Sequence, residues 1–114
     1  MTDLTLYGLK NCDTCKKALK ALETAGKSVT FVDIRAEADL PAELPGWLDA
    51  TGADTLVNKR STTWRNLDET TRSEAQTNAA TLLSANPTLI KRPVIEASGE
   101  IYVGWTKAVE TALT

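Results

Sequence analysis

The sequence contains no histidine, a single phenylalanine and only two cysteines among its 114 residues. The absence of histidine excludes the Ser-His and Cys-His pairs that activate many nucleophiles. Structural zinc sites usually take a full set of Cys and His ligands, so this chain is not expected to bind a metal ion or a resident cofactor. Any catalysis must therefore use thiols, with arginine, lysine or backbone dipoles as helpers.

Excess positive charge and long apolar runs are missing as well. The net charge is −2 and the pI is about 5.1, which argues against nucleic acid as a direct partner. No apolar run reaches the length of a membrane span, and the start of the chain lacks the features of a signal peptide. We therefore expect one cytoplasmic, monomeric domain over residues 1–114 that associates with no membrane.

The two cysteines lie together as Cys12-x-x-Cys15, where a short apolar strand gives way to a helix. A helix N-terminus favours a thiolate, and Lys10, Lys16 and Lys17 add positive charge while Asp13 opposes it. The pattern indicates a redox site, with Cys12 as nucleophile and Cys15 as a resolving thiol. The alternative is structural, because Cys15 also continues an apolar helical stripe formed by Ala18, Leu19 and Leu22.

The hydrophobic pattern predicts an α/β chain in the order β-α-β, helical insertion, β-β-α. Strands are expected around 4–7, 29–32, 93–96 and 101–103, the first two parallel and the last two forming an antiparallel hairpin. The insertion covers residues 40–86 approximately, and its helices include one that Asp68 caps. This order is the thioredoxin-like arrangement with a mixed sheet.

Three further segments have a less regular sequence pattern. We place Pro45 in the first turn of a helix that ends at Gly52, because an interior proline breaks a helical hydrogen bond. The polar segment 59–65 is expected to be a surface loop. The closing helix is expected over 105–113, with Ala108, Val109 and Ala112 on its inner face.

Three separate segments resemble the arsenate reductase/Spx/YffB family, and the YffB branch above all. They are residues 7–14 (YGLKNCDT), residues 60–69 (RSTTWRNLDE) and residues 90–93 (IKRP). The resemblance extends from Leu4 to Gly104 and keeps the order and spacing of the three motifs. It implies a thioredoxin-like fold with a helical insertion between the two halves.

The resemblance also implies roles for individual residues. Cys12 matches the redox-active cysteine of the family, while Arg60 and Arg92 match arginines that contact the oxyanion in arsenate reductases. Pro93 matches the proline that thioredoxin-like folds hold in cis beside the cysteine. A third arginine of true arsenate reductases is missing near Gly104, where this chain reads Val-Gly-Trp from residue 103. This departure makes arsenate the weaker candidate substrate.

The sequence thus predicts a thiol-dependent reductase that uses glutathione or another thiol as co-substrate. Lys10, Asn11, Arg60, Arg92 and Pro93 are the candidate binding residues for that thiol, or for an oxyanion, because guanidinium groups match carboxylates and oxyanions well. A protein thiol or disulfide is another possible substrate. The rival interpretation is an Spx-like redox-sensing regulator that binds RNA polymerase, which the Cys-x-x-Cys pattern favours.

Overall fold

The computed structural model describes residues 3–114, and all four strands lie in its first and last thirds, on either side of a helical middle. In chain order, the elements are β1 (Asp3–Gly8), α1 (Asp13–Thr24), β2 (Ser28–Asp33), α2 (Leu40–Thr51), α3 (Ala53–Leu56), α4 (Thr62–Arg65), α5 (Glu69–Thr77), α6 (Ala79–Ala85), a 3-10 turn (Pro87–Leu89), β3 (Val94–Ala97), β4 (Glu100–Val103) and α7 (Lys107–Leu113). The chain forms two compact units. The sheet unit holds the described residues up to 38 and from 92 onward, and the helical unit holds Asp39–Lys91.

The sheet unit is a mixed four-stranded sheet in the order β2-β1-β3-β4. β1 runs parallel to β2 and antiparallel to β3, and β3 runs antiparallel to β4. Its buried core joins the sheet to α1 and α7 through Leu4, Leu6, Ala18, Leu22, Ile95, Ala97 and Leu113. The parallel pair, the hairpin and the thioredoxin-like order predicted from the sequence are confirmed.

Strand register brings two distant segments to one edge of this sheet. Tyr7 pairs with Val94 in the antiparallel β1–β3 ladder, so the end of β1 lies beside the start of β3. The loop after β1 therefore meets the residues that precede β3. The Cys-x-x-Cys segment and the Arg92-Pro93 pair lie at this edge, because each directly adjoins one of these strand ends.

The helical unit buries apolar side chains from α2, α3 and α6. They are Leu40, Leu44, Trp47, Leu56, Leu82 and Leu83, each at most 4 % exposed. Two backbone hydrogen bonds join the segment after α3 to the end of this unit. The Asn58 N–H donates to the Leu89 carbonyl at 2.8 Å, and the Lys91 N–H donates to the Leu56 carbonyl at 2.8 Å. As predicted, Asp68 caps α5, and its carboxylate accepts the Thr71 N–H at 2.7 Å.

The prediction for Pro45 was wrong. α2 begins at Leu40 and runs without a break to Thr51, so Pro45 lies inside the helix. Asp39 caps the helix, and Pro41 occupies the first turn, where a missing N–H costs nothing. Leu44 and Trp47 are buried, and their packing outweighs the hydrogen bond that Pro45 cannot donate.

Two further predictions need correction. The segment expected as a loop over 59–65 contains the short helix α4, because the Ser61 hydroxyl accepts the Trp64 N–H at 3.1 Å and caps it. The closing helix starts at Lys107 rather than Trp105, since Thr106 is its N-cap. With this start, Ala108 and Ala112 are exposed to solvent and do not lie on the inner face as predicted. Leu113 and half-buried Val109 form the inner face instead.

Within residues 3–114, every helix is too short or too polar to cross a membrane.

Candidate active site at the start of the first helix

Cys12 is the N-cap residue of α1, at the edge where β1 and β3 meet. A tight turn brings it there, because its N–H donates to the Leu9 carbonyl at 3.1 Å. Its own carbonyl accepts the Lys16 N–H at 3.0 Å, which fixes the backbone of the first helical turn. The thiol is free and half-buried. A partner molecule can therefore reach the sulfur.

The environment of Cys12 favours its thiolate. Burial opposes ionisation, but the Cys15 N–H, the Cys15 thiol and the Arg92 guanidinium all interact with the sulfur. Together these donors lower the pKa of Cys12 below its ordinary value of 9.0. The Cys12 side chain does not form a capping hydrogen bond at the start of α1, so its interaction with the Cys15 N–H is weaker than such a bond. The sequence pointed to nearby lysines as the source of positive charge, whereas the cation beside the sulfur is Arg92.

Cys15 lies one turn further along α1 and is completely buried, with 0 % exposure. Burial raises the pKa of its thiol to about 12, and the neighbouring Cys12 sulfur adds to the rise. The Leu9 N–H and Arg92 oppose that rise without cancelling it. Cys15 is thus a protonated hydrogen-bond donor at neutral pH, on the apolar stripe with Ala18 and Leu22.

Arg92 and Pro93 directly precede β3, and Arg92 acts on both thiols. The peptide bond between them is cis, as the family resemblance implies. Pro93 is buried, and its carbonyl accepts the Gly104 N–H at 2.8 Å, which ties it to the residue after β4. Arg92 is half-buried and acts electrostatically on both sulfurs. This strand edge therefore combines a thiol of lowered pKa with a half-buried cation.

Lys10 and Asn11 are exposed in the turn before Cys12. A cavity of about 350 Å³ opens beside this turn and is lined by Leu9, Lys10, Asn11, Asp33, Arg35 and Ala36. A smaller cavity of about 250 Å³ is lined by Leu9, Lys10, Cys15, Lys16, Leu19 and Phe31. Lys10 belongs to both linings.

Arg60 belongs to the helical unit and is exposed. Its N–H donates to the Asn58 side-chain oxygen at 3.1 Å, and its carbonyl accepts from Arg65 at 3.4 Å. Its proposed role in anion binding stays a prediction. Among residues 3–114, no group of three or more Cys, His or acidic side chains is arranged to hold a metal ion.

Sequence reasoning missed Gly8 and Leu9. The main-chain N–H of Leu9 faces the Cys15 sulfur, and Gly8 lies against that same sulfur. Neither contact involves a side chain of residue 8 or 9, so residue type at these positions gave no chemical signal. The one available hint was that Gly8 directly follows an apolar strand and precedes the cysteine motif.

Two known proteins are similar to this chain over most of its length. A protein of Haemophilus influenzae described as uncharacterized is 45 % identical over 105 residues, covering 91 % of this chain and 92 % of its own length. The global transcriptional regulator Spx 1 of Oceanobacillus iheyensis is 29 % identical over 106 residues, which cover 91 % of this chain and 81 % of that protein.

Solved structures are also similar to this chain over most of its length. The YFFB protein superposes with a TM-score of 0.87 and 35 % identity, covering 96 % of this chain and 97 % of that one. An arsenate reductase (ArsC) related protein from Brucella melitensis is 40 % identical with a TM-score of 0.76, covering 96 % of this chain and 92 % of its own. The sequence profile of the ArsC family matches residues 7–111. The resemblance inferred from the three motifs is thus confirmed, and this chain belongs to the ArsC family.

Proposed function

We propose that this protein is a small thiol-dependent reductase in which Cys12 is the nucleophile and glutathione is the co-substrate. The observation that carries the proposal is the Cys12 thiol, half-exposed at a helix N-terminus, with its pKa lowered by Cys15 and Arg92. A thiolate is the reactive form of cysteine, and an accessible cysteine in an electropositive setting is typical of catalytic thiols.

In the first step, the Cys12 thiolate attacks the glutathione sulfur of an oxidised substrate, for which a mixed disulfide between glutathione and a second thiol is the simplest example. A new bond joins Cys12 to that sulfur, the substrate S–S bond breaks, and the released second thiolate takes a proton from solvent. Arg92 stabilises the attacking thiolate before the step. The product is a mixed disulfide on Cys12.

In the second step, a thiol breaks the mixed disulfide. External glutathione attacks the sulfur of the bound glutathione, so glutathione disulfide leaves and Cys12 is released as a thiolate. If Cys15 attacks the Cys12 sulfur instead, it loses its proton, glutathione leaves and a Cys12–Cys15 disulfide forms, so the two protein thiols supply both electrons. Burial is the largest cause of the high pKa of Cys15, and it persists after Cys12 has reacted. We therefore propose that external glutathione resolves the mixed disulfide faster, and that Cys15 resolves it slowly.

The charged groups of the site suit an anionic substrate. Lys10, Asn11, Arg92 and Pro93 lie in the sheet unit together with Cys12, and they form our proposed binding set. The role of Arg60, which lies in the helical unit, stays a separate prediction. Guanidinium and ammonium groups bind the carboxylates of glutathione or a small oxyanion. Arsenate is the less favoured oxyanion because residues 103–105 supply no third arginine.

The relatives support this proposal at the level of reaction class. The Brucella melitensis protein is described as related to arsenate reductase, and the similarity covers 96 % of this chain. A cytoplasmic location, where glutathione keeps thiols reduced, belongs to the same proposal.

The test is a glutathione-coupled reduction assay with hydroxyethyl disulfide or arsenate as the oxidant. We expect Cys12→Ser to lower the rate by more than about a hundredfold, because the nucleophile is lost. The matched control is Cys15→Ser, which should keep most of the activity. Full activity in Cys12→Ser, or a wild-type protein inactive with every disulfide and oxyanion tried, would contradict the proposal.

A second candidate function is a redox-sensing regulator that binds RNA polymerase. The Cys-x-x-Cys spacing and the similarity to the Spx 1 regulator favour it. A Cys12–Cys15 disulfide would then be the switch. Pull-down of RNA polymerase with oxidised and with reduced protein tests this idea, and equal binding, or none, in the two states would exclude it.

A further inference from the structure

Gly8 lies where the end of β1 meets the first turn of α1. A Cβ atom placed on Gly8 would lie 2.5 Å from the Cys15 sulfur and 3.2 Å from the Cys15 Cβ. Non-bonded heavy atoms do not approach to 2.5 Å, so no side chain fits at position 8 while the sulfur keeps its place. The φ angle of Gly8 is not positive, and space rather than backbone conformation therefore requires glycine here.

Neither backbone segment is free to move away. Gly8 pairs with Asp33 in the parallel β1–β2 ladder, and its carbonyl accepts the Ile34 N–H at 2.9 Å. On the other side, α1 is held against the sheet by Ala18 and Leu22, both 0 % exposed. A methyl group at position 8 must therefore displace the Cys15 sulfur, because rotation of that side chain is the least costly adjustment.

The position of that sulfur matters for Cys12. In its present place, the Cys15 thiol interacts with the Cys12 sulfur and helps to lower the pKa of Cys12, and the Leu9 N–H interacts with the Cys15 sulfur. The Arg92 guanidinium from the start of β3 is the charged group that faces both thiols. If the Cys15 sulfur rotates away, Cys12 loses one of its donors but keeps Arg92.

We propose that Gly8 is a positioning residue whose missing side chain seats the Cys15 thiol against the Cys12 sulfur. Gly8 touches neither the substrate nor the reacting bond and acts through Cys15. The inference rests on the proposed function only in taking Cys12 as the reactive thiol.

The test measures the pH dependence of iodoacetamide alkylation of Cys12, with the modified residue located by mass spectrometry. Gly8→Ala should raise the midpoint pH and slow alkylation at pH 7 by about fivefold, the size expected for one lost hydrogen bond to a thiolate. Cys15→Ala should have the same effect. The double variant should be no slower than either single one, because both substitutions remove the same contact.

Gly46→Ala is the matched control, since a Cβ at Gly46 meets no heavy atom within 4 Å and its φ is not positive. It should leave the alkylation profile unchanged. A folded Gly8→Ala variant with the wild-type profile, or effects of Gly8→Ala and Cys15→Ala that multiply, would overturn the inference.

If Gly8→Ala does not fold, the double variant decides, because removing the sulfur leaves only contacts of 3.2 Å to the Cys15 Cβ and 3.3 Å to Leu6. Recovery of folding would support the inference, and failure to recover would overturn it. The assay contains no reductase substrate. An inactive wild-type protein with the expected Gly8 effect would therefore refute the proposed function and leave this inference standing.

Discussion

The Cys15 thiol acts on the Cys12 sulfur from a position with no exposure to solvent. The two thiols thus differ sharply although they share one helical turn. The pKa of Cys12 is lowered from 9.0, whereas burial raises that of Cys15 to about 12. Between these values, the pair holds one negative charge and one proton, with the charge on the accessible sulfur.

The first prediction concerns Arg92. Because its guanidinium helps to lower the pKa of Cys12, Arg92→Ala should move the midpoint of Cys12 alkylation to higher pH and slow the reaction at pH 7 about fivefold. Arg92→Lys is the control. Lysine keeps the positive charge but not the planar guanidinium, so the midpoint pH should rise less than in Arg92→Ala. Equal midpoints in wild type and Arg92→Ala would show that the charge does not act on the thiolate.

The second prediction concerns stability in alkaline solution. The native state holds the Cys15 proton until about pH 12, whereas an unfolded chain releases it near 9.0. The unfolded state therefore binds fewer protons above pH 9, and its stability relative to the native state rises with pH. Between pH 8 and 10, the free energy of unfolding should fall by roughly 1 kcal/mol more in wild type than in Cys15→Ala.

Urea denaturation of both proteins at the two pH values, under reducing conditions, measures that difference. If the gap between wild type and Cys15→Ala stays constant from pH 8 to pH 10, the Cys15 thiol does not keep its proton in the native state.

The third prediction concerns Pro45, which lies inside α2 and is exposed. An interior proline costs about 3 kcal/mol relative to alanine, and the greater freedom of the unfolded chain returns up to about 1 kcal/mol. Pro45→Ala should therefore raise the free energy of unfolding by about 2 kcal/mol in urea denaturation. Pro41→Ala in the same helix is the control, because a proline in the first turn removes no helical bond. An equal gain from both substitutions would contradict this explanation.

Much of the fold could be predicted from local pattern. Alternating apolar residues identified β1, the Ser98-Gly99 turn identified the β3–β4 hairpin, and the spacing of Ala18 and Leu22 identified the buried face of α1. These features depend on neighbours in the sequence, so periodicity and turn chemistry reveal them. Pro45 misled the same reasoning because tertiary burial of Trp47 overrode a local helix-breaking signal.

The site was only partly predictable. Two motifs identified Cys12, Arg92 and Pro93, and the strand register brings these residues to one edge. The sequence did not predict the difference in pKa and exposure between the two thiols, because that difference depends on which sulfur packs against the end of β1. The cation beside Cys12 is Arg92 and not one of the lysines. This also depends on where the side chains lie, which the order of charges along a helix does not reveal.

The most direct test of the account is mass spectrometry of the protein after reaction with glutathione disulfide, in wild type, Cys12→Ser and Cys15→Ser. Cys15→Ser should gain one glutathione, attached to Cys12, and Cys12→Ser should gain none. Wild type should form the mixed disulfide first and convert it slowly to an internal disulfide. Glutathione attached to Cys15 in the Cys12→Ser protein, at the rate seen for Cys12, would contradict the central claim that Cys12 alone is the reactive thiol.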